Sequence, residues 1–166
     1  MSSPGVDVEE TDKKAIEALH KLDVQATLSG RADILAGLWD ERAVRIPHRG
    51  PADIGRQAIY ASDKQQEEAS RGWSVRTYEP EIREVRVTDG WGFEWGYFDL
   101  AIVESSSAVR VDLRGKLLRV LKRQSDGSWK FVAVMVDFEE GEPAAEGQVA
   151  GRDPARVAIP SLTRIY

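Results

Sequence analysis

The spacing of hydrophobic residues follows one period in the first part of the chain and another in the second part. The first period is that of a helix. Near the start, four apolar residues recur three or four positions apart: Ala15, Leu19, Leu22 and Ala26. This spacing predicts a helix with one apolar face. We expect it to begin at Thr11 or Asp12, either of which can cap it, and to end at Ser29 before a glycine.

Two further helices and a short strand are predicted before residue 72. The second helix is short, with Asp33 as its cap. Its apolar positions are Ile34, Leu35, Leu38 and Trp39. Residues 43–46 read as a short strand that stops at Pro47, because proline lacks the donor that a ladder requires. After a turn-rich stretch, a third helix is predicted at residues 55–70.

After Gly72 the hydrophobic period changes to two, which indicates strands. Four long strands are predicted, at residues 73–87, 91–104, 108–124 and 128–138. Asp-Gly pairs between them are typical of tight hairpins. Pro80 indicates an edge strand or a bulge, Gly92 and Gly96 indicate bends or close approach, and Gly115 indicates a bulge. Both parities of the last two strands carry apolar residues, as in a sheet covered on both faces.

Length and composition indicate one domain with tails. The chain has 166 residues, of which 42% are hydrophobic, and it includes five tryptophans. We expect residues 1–11 to be a flexible N-terminus and residues 12–138 to form the domain. Residues 139–166 would be a tail that docks on the sheet or on a partner subunit, because its last residues are apolar.

Charge and cysteine usage narrow the classes of function. The net charge is −5 at pH 7, with acidic residues interleaved among the arginines. This argues against a nucleic-acid partner, which requires clustered positive charge. The absence of cysteine excludes disulfides and thiol chemistry. No secretory signal and no membrane-length apolar run is visible, so we expect a cytoplasmic protein with no membrane association.

Four segments carry a resemblance to a known superfamily. They are residues 38–44 (Leu-Trp-Asp-Glu-Arg-Ala-Val), 55–59 (Gly-Arg-Gln-Ala-Ile), 94–96 (Glu-Trp-Gly) and 118–130, which includes Gln-Ser-Asp-Gly-Ser-Trp. On these residues the chain resembles the NTF2-like superfamily, and within it small bacterial SnoaL-like and ketosteroid-isomerase-like proteins. The resemblance implies an α+β cone, with three N-terminal helices packed on a curved, mixed, mostly antiparallel sheet. It also implies a pocket inside the cone and a homodimer through the outer face of the sheet.

The resemblance does not extend to steroid chemistry. Ketosteroid isomerases use a tyrosine, an aspartate base and a second, protonated aspartate. Those positions fall near Gln25, Pro47 and Lys116 in this chain, so none of the three residues is retained. The superfamily hosts many reactions and also non-catalytic binders, so fold does not decide function.

Two residues are candidates for proton transfer. His48 follows the first short strand, at the expected mouth of the cone, and histidine titrates near neutral pH. Asp137 ends the last strand, where a buried carboxylate would have a raised pKa. For each, the alternative is an ordinary surface residue. With two distant histidines and no cysteine we expect no metal site, and we expect no cofactor.

Seven residues are predicted to bind a small-molecule ligand: Trp39, Arg45, Tyr60, Trp95, Tyr97, Arg119 and Met135. The aromatic residues would form apolar walls, as in most small-molecule sites. Arg45 and Arg119 each lie between apolar neighbours on a strand, so each faces either the cavity or the other side according to register. Inside the cavity, an arginine would bind an anionic group.

Two classes of function follow from these expectations. The first is a cofactor-independent isomerase, cyclase, dehydratase or hydrolase that acts on a small apolar or anionic metabolite. The second is a non-catalytic ligand-binding or dimeric assembly domain. Loss of the isomerase residues favours the second class, whereas a cavity lined by aromatic and titratable groups would favour the first.

Overall fold

The computed structural model describes residues 5–107 and 109–139, with side chains from Glu10 onwards. The predicted docking of the C-terminal tail lies outside these residues. Within them, no helix is both long enough and apolar enough to cross a bilayer.

Three helices and six strands make up the described chain. The helices are α1 (Gly5–Ser29), α2 (Ala32–Ala36) and α3 (Arg56–Ala69). The strands are β1 (Trp39–Ile46), β2 (Asp53–Ile54), β3 (Trp73–Thr88), β4 (Trp91–Glu104), β5 (Arg110–Arg123) and β6 (Trp129–Phe138). They form one sheet in the order β2-β1-β6-β5-β4-β3, in which only the β1–β6 pair is parallel. The predicted α+β architecture is confirmed.

Helix α1 begins at Gly5, several residues before the predicted start. Asp12, predicted as a cap, lies inside the helix and is buried. Its carboxylate accepts hydrogen bonds from Arg123 at 3.1 Å and from the indole N–H of Trp129 at 3.3 Å. Asp12 therefore attaches the helix to the ends of β5 and β6.

The second helix ends earlier than predicted, because a strand takes over its last residues. Helix α2 ends at Ala36, and Trp39 opens β1, where it pairs with Phe131 of β6. The two rings pack edge to face with centroids 5.9 Å apart. Local helical spacing did not reveal this pairing, which joins distant parts of the chain. The two-residue strand β2 lies in the predicted turn-rich stretch and pairs with Val44 and Arg45 of β1.

The predicted strand signals for β3 and β4 are largely confirmed. β3 is an edge strand, so Pro80 is tolerated, and the register of the β3–β4 pair shifts on both sides of that residue. Asp89 and Gly90 both have positive φ, at 48° and 76°, as a tight primed hairpin requires. At Gly96, an added Cβ would collide with the backbone carbonyl of Glu81, so close approach excludes a side chain there.

Gly115 serves a different purpose from the predicted bulge. The register of β5 runs through Gly115 without a shift on either side. An added Cβ would instead collide with the ring of Phe98, which is the directly paired residue on β4. The missing side chain thus makes room for a core aromatic ring.

The inner face of the sheet carries a row of charged residues across its middle. Directly paired residues on adjacent strands share a face. The row, read from one edge, is Asp53, Arg45, Val134, Arg119 and Glu94. Every member is buried. Both arginines whose facing was undecided in the sequence therefore lie inside the cone.

Arg119 links the sheet to α1. Its Nη1 donates to Asp23 of α1 at 2.7 Å, and its Nε donates to Glu94 of β4 at 2.5 Å. His20 of α1 donates to the other oxygen of Glu94 at 2.7 Å, and the hydroxyl of Tyr78 donates to Asp23 at 3.3 Å. Burial alone would raise the pKa of Glu94, but the hydrogen bond from His20 and the charge of Arg119 outweigh burial, so the pKa lies below its usual value.

Replacing Arg119 should destabilise the protein strongly. Arg119→Met leaves the carboxylates of Asp23 and Glu94 buried without their shared cation, a defect that typically costs about 3–5 kcal/mol. Urea unfolding followed by tryptophan fluorescence measures the loss.

Arg110→Met is the matched control, because Arg110 lies on the same strand in an exposed pair with Asp112. Exposed pairs contribute little to stability, so Arg110→Met should unfold at nearly the same urea concentration as the wild type. Equal losses in the two variants would show that the buried cluster does not hold α1 to the sheet.

Candidate functional site

A cavity of about 230 Å³ lies between the helices and one end of the sheet. Its apolar walls come from α1, α2 and the sheet, and are formed by Leu28, Leu35, Trp39, Trp73, Val75 and Ile102. The polar side chains that line it include Arg45 from β1 and Asp63 and Gln66 from α3. The site therefore has the usual make-up of a small-molecule pocket, apolar walls with a few polar groups.

Helical spacing explains why α3 presents polar groups to the cavity. Ile59 on this helix is fully buried against the sheet. Asp63 and Gln66 follow it by four and seven positions, so they share its inward face. A helix interface that would ordinarily be apolar therefore carries a carboxyl and an amide group.

Arg45 is held by two carboxylates. Its Nε and Nη2 donate to Asp53 at 3.1 and 2.8 Å, and its Nη1 donates to Asp63 at 2.5 Å. The second oxygen of Asp53 accepts a hydrogen bond from the hydroxyl of Ser62 at 2.7 Å. One guanidinium thus joins β1, β2 and α3, and its positive charge is already balanced by the protein.

Two polar atoms of this site have no partner. Oδ2 of Asp63 and Nε2 of Gln66 are buried, and neither makes a hydrogen bond within the described residues. The Asp63 side chain is only 6% exposed. Burial raises the pKa of Asp63 above its usual value, although Arg45 opposes the shift. A buried acceptor and a buried donor without partners each carry a desolvation penalty that a suitable ligand would relieve.

Two of the predicted ligand residues line the cavity, namely Trp39 and Arg45. Arg119 is buried beside them on the inner face, but it belongs to the cluster that holds α1 and does not line the cavity. Tyr60 is half-buried on α3 and also lies off the cavity wall.

Three other predicted ligand residues lie on the outer face. Trp95, Tyr97 and Met135 alternate with buried inner residues, which places them on the side away from the helices. Trp95 donates to Glu84 at 3.0 Å, and Tyr97 lies beneath the guanidinium of Arg114 at 4.9 Å. The alternation of the sequence separated the two faces correctly but did not identify which face was the inner one.

The structure brings His48 and Asp137 together, although neither lines the cavity. Because β1 and β6 are parallel, their C-terminal ends lie side by side, and these two residues are near those ends. Nδ1 of His48 lies 2.6 Å from Oδ1 of Asp137, and the ring packs edge to face on Phe138. The Asp137 side chain is about half exposed. The backbone N–H of Phe138 also points at Nδ1, at 3.3 Å, so the carboxylate of Asp137 and this N–H meet at one ring nitrogen, and the tautomer decides which of the two it bonds.

Sequence reasoning missed Asp63 and Gln66, which carry the unpaired atoms. A signal for them was present: a carboxyl and an amide residue stand four and seven positions after the apolar Ile59, on one face of the predicted third helix. Polar residues at such positions are buried only with partners, or at functional sites. Among the described residues, no three His, Asp or Glu side chains come together as a metal ligand set.

Solved structures share this fold. A ketosteroid isomerase-like protein from Erwinia carotovora atroseptica is 16% identical, with a TM-score of 0.65 over 77% of this chain and 96% of that one. An NTF2-like protein with a cystatin-like fold from Novosphingobium aromaticivorans is 20% identical, with a TM-score of 0.63 over 81% and 86%. An NTF2-like protein of unknown function from Shewanella oneidensis is 17% identical, with a TM-score of 0.60 over 75% and 98%.

No protein-family model matches the chain, and no curated protein matches it in sequence. The chain thus has the NTF2-like, cystatin-like fold that the resemblance implied. At these identities the likeness shows the fold alone.

Asp63 should make stability depend on pH in an unusual direction. Its pKa is raised in the folded protein, so the folded state keeps a proton that the unfolded state releases above about pH 3.9. Stability therefore falls as the pH rises from there to the folded pKa. Relative to wild type, Asp63→Asn should gain stability across this window and then level off, as measured by urea unfolding at successive pH values.

Asp126→Asn is the control, with the opposite sign. A hydrogen bond from Ser128 lowers the pKa of Asp126, so its contribution is present above the usual carboxyl pKa and is lost as the pH falls. This variant should lose stability relative to wild type as the pH rises. A pH-independent difference between wild type and Asp63→Asn would contradict the raised pKa.

Proposed function

We propose that this protein binds a small, mostly apolar molecule in the cavity lined by Trp39, Arg45 and Asp63. The observation that carries the proposal is the pair of unpaired buried polar atoms on α3, in a cavity whose other walls are largely apolar. Such atoms are rare in folded proteins unless a ligand or water completes them. A cavity of about 150 Å³ is enough to hold benzene, so about 230 Å³ accommodates a substituted single ring.

The charge at the site favours a neutral ligand over an anionic one. The three nitrogens of the Arg45 guanidinium already donate to Asp53 or Asp63. An anion in the cavity would compete with two built-in carboxylates for the same cation. The anion-binding role considered for Arg45 is thus supported less well than recognition by hydrogen bonds from the α3 side chains.

His48 and Asp137 support a second candidate function, cofactor-independent acid–base chemistry. The carboxylate of Asp137 orients the imidazole, an arrangement found where histidine transfers protons. Because neither residue lines the cavity, this function requires a ligand that extends to the end of β1. Binding is the simpler proposal, since it uses only groups already at the cavity.

A fragment screen by ligand-observed NMR tests binding in the cavity. Small aromatic fragments should bind the wild type and lose binding in Val75→Trp, because the indole fills the space that Val75 borders. The imidazole signals of His48, followed in the same titrations, should shift only if the second function also applies.

Val103→Trp is the matched control, since Val103 is on β4 and its neighbour Ile102 faces the cavity, which places Val103 on the opposite face. This variant should bind fragments as the wild type does. If no fragment binds the wild type, or if both variants bind equally well, the cavity is not the ligand site.

The outer face of the sheet supports the proposal of a homodimer. Two adjacent apolar rows cross four strands there. The first is Ile46, Met135, Leu118 and Trp95, and the second is Val44, Ala133, Val120 and Phe93. The members of the first row are 38–47% exposed, which is unusual for four adjacent large apolar side chains on a monomer.

A second copy of the chain is the occupant that these rows fit best. The next row of the same face holds Lys116 and Asp137, so one border carries both signs of charge. In a twofold arrangement the same patch meets itself, and a border with both signs allows acid to face base.

Disrupting the first row should yield monomers. Leu118→Lys places a charge at the centre of the proposed interface, where burial without a partner costs several kcal/mol. Light scattering after size-exclusion chromatography, over a range of concentrations, should show a dimer for wild type and a monomer for the variant.

Asp112→Lys is the control, because it adds a lysine to the same face of β5 beyond the apolar rows. It should remain dimeric. A monomeric wild type at high concentration would refute the homodimer but would leave the cavity proposal standing.

A further inference from the structure

The two arginine clusters of the inner face are built alike, but their carboxylates differ in how fully they are hydrogen-bonded. Each arginine binds one carboxylate from the sheet and one from a helix: Glu94 and Asp23 for Arg119, and Asp53 and Asp63 for Arg45.

Three of these four carboxylates have further partners. Both oxygens of Glu94 and both oxygens of Asp53 accept hydrogen bonds, with His20 and Ser62 as the additional donors. Asp23 accepts from Tyr78 as well as from its arginine. Asp63 is the exception, since its Oδ2 has no donor within the described residues. Asp63 is also the carboxylate of the four that lines the cavity.

The missing partner for Asp63 is a hydrogen-bond donor. A carboxylate accepts through both oxygens, and Arg45 occupies only Oδ1. One turn further along α3, the amide nitrogen of Gln66 lacks an acceptor. Residues three apart on a helix are neighbours. The cavity wall therefore presents an acceptor and a donor side by side.

From this pairing we infer that the ligand carries an amide or lactam group on an apolar ring, with its N–H bound to Asp63 and its carbonyl oxygen bound to Gln66. The inference rests on the proposed function and specifies the substrate class of the same site. An amide is neutral, and its donor and acceptor are adjacent, so this single group can bond both Asp63 and Gln66.

Ligands with other polar groups would form fewer of the missing hydrogen bonds to Asp63 and Gln66. An ester or ketone offers only acceptors and leaves Oδ2 of Asp63 unpaired. A carboxylate adds negative charge beside Asp53 and Asp63, whose shared cation is already engaged. An amine satisfies Asp63 but leaves the amide nitrogen of Gln66 without an acceptor.

Four probes with the same ring separate these possibilities: benzamide, methyl benzoate, benzylamine and benzoate. Each is titrated by calorimetry or NMR into the wild-type protein. Benzamide should bind at least about tenfold more tightly than methyl benzoate, because the ester leaves a buried acceptor unpaired.

Substitutions at Asp63 and Gln66 test the roles of these residues through probe affinities, including the ratio between benzamide and methyl benzoate. A purely structural role would not change these affinities selectively. In Asp63→Asn the amide oxygen can accept from Arg45, which turns an N–H donor toward the position of Oδ2. The preference for benzamide over methyl benzoate should then disappear or reverse. Gln66→Leu should weaken benzamide and methyl benzoate alike, because each offers a carbonyl oxygen to Gln66, and should keep the preference for benzamide that Asp63 provides. Gln65→Leu, an exposed neighbour on α3, should keep the wild-type preference.

The outcomes distinguish this inference from the proposed function. Equal binding of all four probes would overturn the amide inference while confirming that the cavity binds small molecules. If benzylamine or benzoate bound most tightly, the site would recognise a charged group, and the amide inference would likewise be overturned. Failure of every probe, with fragments still bound in a manner sensitive to Val75→Trp, would overturn the amide inference alone. Failure of probes and fragments together would overturn both.

Discussion

Two buried arginines determine how the helices sit on the sheet. Arg119 joins the sheet to Asp23 of α1, and Arg45 joins it to Asp63 of α3. A buried charge is tolerated only when its partners are placed with good geometry, so each arginine constrains the depth and rotation of one helix. Apolar side chains pack around these two buried clusters. Beside Arg45 the packing is incomplete, and this leaves the cavity.

Local signals in the sequence account for most of the fold. The period-two pattern and the Asp-Gly turns predicted all four long strands within a few residues, and Pro80 indicated the edge position that β3 occupies. What local signals could not reveal was pairing between distant segments. Trp39 has helical spacing from its neighbours, yet it belongs to a strand because β6 provides its partner. Tertiary pairing overrode local propensity at that point.

The candidate site was harder to predict, for a reason specific to strands. Alternation shows that Trp95 and Glu94 face opposite sides, but it does not say which side is inside. Aromatic residues commonly line ligand cavities, whereas this sheet turns Glu94 and Arg119 inward and Trp95 and Tyr97 outward. The inner charges are acceptable because α1 supplies carboxylate and imidazole partners. These partners on α1 lie 74 and 96 positions along the chain from the strand residues that they bond.

The parallel pairing of β1 and β6 has a consequence for how the protein is made. His48 and Asp137 meet across 89 positions of sequence, and Arg45 reaches its place in the sheet through the same pairing. Closing so long a loop is slow compared with forming the hairpins of the meander. On the ribosome, β1 has only the two-residue strand β2 beside it until β6 has emerged from the exit tunnel. The cavity beside Arg45 is consequently among the last features to mature, and a nascent chain stalled before residue 129 would lack the strand that holds Arg45 in the sheet.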